Sequence, residues 1–163
     1  MRFAAHGRTG QVSELYKHTQ TGWTIITLIG AGIVVEVVVV AALASENTVA
    51  LALGGAVAAV LAVVLALFST LTVTVDDVAV RLSFGLGVLR REVPLDAVAA
   101  ARAVKNSWLA GWGVRVIPHG RLYNVGGFDA VELLLDSGRV VRVGTDEPAA
   151  LLAAVQRALR AGR

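Results

Sequence analysis

WTIITLIGAGIVVEVVVVAALA (Trp23–Ala44) and VALALGGAVAAVLAVVLALFST (Val49–Thr70) are separated by only Ser45-Glu46-Asn47-Thr48. A helix rises about 1.5 Å per residue, so each run reaches roughly 30 Å, the thickness of a bilayer's hydrocarbon core. Neither run holds Lys, Arg, His or Pro, and Glu36 is the only ionisable group in them. The pair reads as a transmembrane helical hairpin over 23–70, which returns the chain to the side it came from. Residues 1–22 then form a short polar tail, and 71–163 a separate domain. The first run is too long, and begins too late, for a cleaved signal peptide.

Basic residues orient the hairpin. Arg2, Arg8 and Lys17 precede it, Glu46 is the only charge in its loop, and 12 Lys and Arg follow it. The positive-inside rule places both termini in the cytoplasm of a two-pass inner (plasma) membrane protein, with Trp23 at the inner boundary. Leu71 begins a strand directly after the second run, so no flexible linker separates domain from membrane.

Composition agrees. The apolar fraction is 56% and the mean hydropathy +0.70, both above the soluble range, and the hairpin accounts for the excess. The 93 residues after Thr70 suffice for one small domain with its own core. Cysteine is absent, which excludes disulfides, thiolate metal sites and cysteine nucleophiles. Thirteen Arg against two Lys, with abundant Ala, Val and Gly, point to a GC-rich bacterial source. After the hairpin, 12 basic residues face 9 acidic ones, a weak footprint for nucleic acid but a fit to an anionic leaflet.

Two features of the hairpin bear on function. Ala52, Gly55, Ala59, Ala62 and Ala66 form one stripe of small side chains, suited to close helix packing. The partner is either the first helix of the same chain or another protomer. Glu36 lies 13 residues in from Trp23, roughly 20 Å along the helix. No cation in either run can pair with it. It is either a proton- or cation-coupled site, which requires a multimer, or a protonated carboxyl hydrogen-bonded within the helices.

Beyond Thr70 the apolar period becomes two. LTVTVD and VAVRLSF read as strands joined at Asp76-Asp77, and Gly85-Leu86-Gly87 turns into a third, VLRREV. Ala97–Val104 fits either a strand or a helical turn. Ala130–Leu135 and Arg139–Val143 flank the turn Asp136-Ser137-Gly138. TDEPAALLAAVQRALRAGR closes the chain as an amphipathic helix capped by Thr145 or Asp146, with Leu151, Leu152, Val155 and Leu159 as its apolar stripe. The expected class is α+β: a membrane hairpin, a small antiparallel sandwich or barrel, and a terminal helix.

This order, with Gly111-Trp112-Gly113 before Arg115, Tyr123-Asn124-Val125 before Gly127-Phe128, and Gly144-Thr145-Asp146-Glu147-Pro148, resembles bacterial membrane proteins that carry a pleckstrin-homology-like (PH-like) domain. The resemblance covers about 90 residues, nearly everything after the hairpin. It implies a fold and a membrane location, and no catalytic residues. Eukaryotic relatives of the fold often bind phosphoinositides through basic residues around the first hairpin turn. Here that turn reads Asp76-Asp77, so that activity is not carried over.

The richest segment for recognition interleaves Trp108, Trp112, Tyr123 and Phe128 with Arg115, His119 and Arg121. Such a set serves a protein interface, an anionic or lipid ligand, or simply the core of a small sandwich. His119 has no second histidine nearby to form a metal site. Ser107, His119 and Asp129 lack a nucleophile elbow or oxyanion signature. The expectation is a non-enzymatic protein without cofactor or metal, whose domain binds a protein partner or a second copy. The alternatives are a multimeric transporter or channel using Glu36, and an anionic-lipid sensor using Arg115 and Arg121.

Overall fold

The computed structural model describes residues 13–43, 46–107 and 111–162. Alternation builds its first sheet. Leu71, Val73 and Val75 of β2 (Thr70–Val75) and Val80, Leu82 and Phe84 of β3 (Ala79–Phe84) fall on one buried face. β4 (Leu89–Pro94) follows through a turn with positive φ at Gly85 and Gly87. The fourth strand comes from before the apolar runs. β1 (Tyr16–Thr21) pairs antiparallel with β2, from Tyr16 opposite Val75 to Thr21 opposite Thr70. The sheet order is β1-β2-β3-β4. Residues 16–21, expected to belong to a polar tail, are therefore a strand of the β domain, which extends beyond 71–163.

That strand changes the topology. The connection between β1 and β2 is the helical hairpin itself, α1 (Trp23–Leu43) and α2 (Thr48–Phe68). Asp76-Asp77 is the second turn, not the first. Asp76 is 2% exposed and builds that turn, accepting from the Val78 and Ala79 amides at 2.8 Å and pairing with Arg81. α1 and α2 are each 21 residues, long and apolar enough to cross a membrane. Asn47 caps α2, its Oδ1 accepting from the Val49 and Ala50 amides. Ile25 alone is buried in α1 and no residue is buried in α2.

The second sheet runs β5-β8-β9-β7-β6, from β5 (Val98–Lys105), β6 (Gly113–Ile117), β7 (Gly120–Asn124), β8 (Asp129–Leu135) and β9 (Val140–Gly144). β7 and β9 are parallel and the other pairs antiparallel. Ala97–Val104 resolves as strand, entered through a 3-10 turn at Leu95–Ala97. The β6–β7 hairpin carries no clean apolar alternation, because Pro118 and Gly120 interrupt it.

The two sheets face one another across one core. Phe84 meets Tyr123 at 6.2 Å between ring centroids, and Val93, Val125, Val131, Leu133 and Val143 fill the space around them. α3 (Pro148–Ala161) packs on β5, β8 and β2, closing one side of the sandwich. It buries Leu151, Ala154, Val155 and Ala158. Full burial of an aliphatic side chain such as Leu151 stabilises by about 1.5–3 kcal/mol. The N-cap is Glu147, one residue past the expected pair; Thr145 Oγ1 instead accepts the Glu147 amide at 3.0 Å.

Candidate functional site

Single residues join hairpin to domain. Gly22 lies between β1 and α1, and Ser69 between α2 and β2. The Gly22 amide donates to the Ser69 carbonyl at 2.7 Å, closing the base of the hairpin. A Cβ at Gly22 would collide with the Val125 carbonyl, and one at Gly85 with the Ala66 carbonyl. Phe68 packs edge-on against Phe84 at 5.9 Å, and Phe84 against Tyr123, so aromatic contact runs from the helix base into the core. Domain and hairpin are clamped by bonds and close packing, as the absence of a linker requires.

Around this base lies an apolar rim. Trp23, Leu86, Val88 and Phe128 are 71, 81, 69 and 52% exposed. Leu86 and Val88 belong to the β3–β4 turn that touches α2. Gly126, beside Phe128's loop, touches Gly22. Its sequence signal is an apolar turn, Gly85-Leu86-Gly87-Val88, whose glycines set the backbone and whose Leu86 and Val88 face outward.

The aromatic and basic segment does not form one surface. Trp108 lies outside the described residues. Trp112 and Phe128 are at the hairpin end, whereas His119 is in the β6–β7 turn at the opposite end, with φ 63°. Tyr123 is a core residue, 6% exposed. Arg115 pairs in register with Leu122, and Arg121 with Val116, so the two arginines project from opposite faces of the sheet. A single lipid patch built on Arg115 and Arg121 is not what the fold presents.

The small-residue stripe also lies elsewhere than intrachain packing needs. Ala52, Gly55, Ala59, Ala62 and Ala66 are all exposed. α1 is met by another face of α2, where a Cβ at Gly54 would come within 2.7 Å of Val40 and 3.3 Å of Glu36 Oε1. Glu36 is half-buried between the two helices, with Oε2 lacking a hydrogen-bond partner.

Three charged residues cross the outer face of the second sheet. Arg102, Glu132 and Arg142 are aligned on β5, β8 and β9. Glu132 Oε1 accepts from Arg102 at 2.6 and 2.8 Å, and Oε2 from Arg142 at 2.5 and 3.1 Å. Burial alone would raise the Glu132 pKa; the hydrogen bonds and charges of Arg142 and Arg102 outweigh it and bring it below the ordinary carboxylate value. Arg142 also donates to Asn106 Oδ1 at 3.2 Å, tying down the start of the β5–β6 connection. On β1, His18 Nε2 meets Asp146 at 2.7 Å, and the Tyr16 hydroxyl donates to Glu147 at 3.3 Å. Burial, then the Glu147 charge, pushes Tyr16 up to about 12. These pairs fasten the strand preceding the hairpin to the start of α3.

No group of three or more His, Cys, Asp or Glu among the described residues is arranged to hold a metal ion. Comparison of the chain with protein-family models, curated proteins and solved structures returns no match.

Proposed function

We propose that this chain is a two-pass bacterial inner-membrane protein whose hairpin anchors a cytoplasmic PH-like interaction module, without catalytic activity. The observation that carries the reading is the insertion of two exposed apolar helices between adjacent strands of one sheet. Exposed helices of this length and composition need lipid or other helices around them. Two packed sheets with a terminal helix across one side support the PH-like reading. The rim of Trp23, Leu86, Val88 and Phe128 suits the interfacial layer, where aromatic and aliphatic groups at the helix ends are stabilised. The outward stripe from Ala52 to Ala66 suits contact between protomers, and the hairpin is then an assembly element as well as an anchor.

Because the chain lacks cysteine, single cysteines report topology directly. An impermeant maleimide labels Asn47→Cys in intact cells and Ser137→Cys only after lysis. Equal labelling of both positions in intact cells rejects the orientation. A second reading, a multimeric proton- or cation-coupled transporter, is kept by the unpaired Glu36 Oε2. Glu36→Gln separates the two: loss of proton-linked flux in vesicles with assembly unchanged supports transport over anchoring.

A further inference from the structure

Arg91 and Arg121 occupy positions where the alternation calls for core residues. On β4 the inward positions are Leu89, Arg91 and Val93, opposite Phe84, Leu82 and Val80. On β7, Arg121 and Tyr123 lie opposite Val141 and Val143 of β9, which belong to the core. Both guanidinium groups therefore project into the space between the sheets, one from each side. α3 closes that space along β5; along β4 and β7 it stays open, and both arginines are exposed there.

The crevice they line has a volume of about 210 Å³. Arg139, from the β8–β9 turn, is the third basic residue of its lining, with Tyr123, Ser137 and Val141 beside it. No carboxylate lines it. The rest of the domain treats its strand arginines differently. Arg81, Arg102 and Arg142 each pair with a buried acid, while Arg90 and Arg115 donate to the Gly87 and Trp112 carbonyls. Arg91, Arg121 and Arg139 have no such partner among the described residues. Three like charges converging on one cavity repel one another unless an anion sits between them.

We propose that this crevice binds a phosphate-class dianion, a phosphomonoester or diphosphate group. Guanidinium forks match phosphate oxygens in paired hydrogen bonds, and a single carboxylate would leave most of the positive charge unbalanced. The volume lies below the roughly 300–1,000 Å³ of drug-sized pockets, which suits a charged head group rather than a whole cofactor. The site belongs to the sandwich alone and does not depend on the role proposed for the hairpin.

The test uses the full-length protein in nanodiscs of zwitterionic lipid, titrated calorimetrically with inorganic pyrophosphate. Saturable binding is expected, weakened at least about tenfold by Arg91→Gln or Arg121→Gln and unchanged by Arg90→Gln, the outward neighbour. Pyrophosphate should raise the melting temperature of the wild type and not of the two inward variants. Dispersed short-chain phosphatidic acid, which can reach the β8–β9 end of the crevice away from the hairpin, separates the sources of the group. If it is a lipid head group, that lipid stabilises the wild type and competes with pyrophosphate; if it is soluble, pyrophosphate binds equally with and without it. Without anion, each inward variant should melt no lower than the wild type, since it loses only repulsion. A lower melting point there, binding equal in variants and wild type, or no response to either phosphate source overturns the proposal.

Discussion

Glu132 is the residue on which the outer face of the second sheet most depends. It is 4% exposed, with both oxygens occupied by arginine. Glu132→Gln retains the shape and removes the charge, leaving Arg142 partly buried without its counter-ion. The expected cost is about 2–3 kcal/mol, the worth of hydrogen bonds to a charged group, read from urea melts at pH 7. Its folded pKa is lowered, so its stabilisation is present above the unfolded value of 4.5 and is lost as pH falls through the folded one. The wild type should therefore weaken below about pH 4.5 more steeply than Glu132→Gln. Tyr16 acts at the other extreme. Its folded pKa of about 12 exceeds the ordinary 10.0, so stability contributed below pH 10 falls away as pH rises toward 12; Tyr16→Phe should flatten that decline. His119 follows Pro118 with a left-handed backbone, which costs a non-glycine residue about 1–2 kcal/mol. After glycine's entropy loss, His119→Gly should raise stability by up to about 1 kcal/mol, and a fall in the melting temperature would show that the imidazole makes a contact worth more than the strain.

At the scale of elements, most of the fold was legible where the apolar period was clean. Leu71 to Val75 and Val80 to Phe84 each alternate without interruption, and Asp76-Asp77 marks the turn between them. The terminal hairpin and α3 were equally plain, since Asp136-Ser137-Gly138 and Pro148 punctuate them. β1 was missed because YKHTQT holds no aliphatic residue; it is fixed by pairing with β2 and by Tyr16 and His18 contacts to Glu147 and Asp146, which no local pattern reveals. β6 and β7 were missed because Gly120 and Pro118 break their alternation, and a Cβ at Gly120 would overlap the Val140 carbonyl. The candidate site was less legible still. Its aromatic and basic residues are neighbours in sequence, but the two-residue period sends Arg115 and Arg121 to opposite faces and Tyr123 into the core. β1 gives a direct test. Thr21 lies opposite Thr70, the geometry a two-residue hairpin loop spans. Replacing residues 22–69 by Asn-Gly should give a soluble folded sandwich with near-native circular dichroism. Residues 71–163 alone lack β1, leaving the β2 edge and the core surface under Leu15 and Tyr16 uncovered, and should aggregate.

For the whole molecule, only Ile25 is buried along the two hairpin helices, and the proposed reading covers their exposed faces with lipid or other helices. If the stripe from Ala52 to Ala66 packs against a second copy, Gly55→Leu or Ala59→Leu should lower the mass of the detergent-solubilised particle toward that of one chain, while Gly54→Leu should disturb the protomer itself. An unchanged mass in the first two variants removes the stripe from assembly. One further consequence concerns the order in which the protein can be made. β1 leaves the ribosome before the helices, and its partner strand only after them, so the sheet cannot close until 48 intervening residues (22–69) have found their place. For a free loop of that length, bringing the ends together carries an entropic cost that grows with its logarithm. A hairpin seated in a bilayer delivers Thr21 and Thr70 to the same surface side by side. If the hairpin is the membrane anchor proposed above, insertion and nucleation of the first sheet become a single event, and a chain that fails to insert is expected to fail to fold as well.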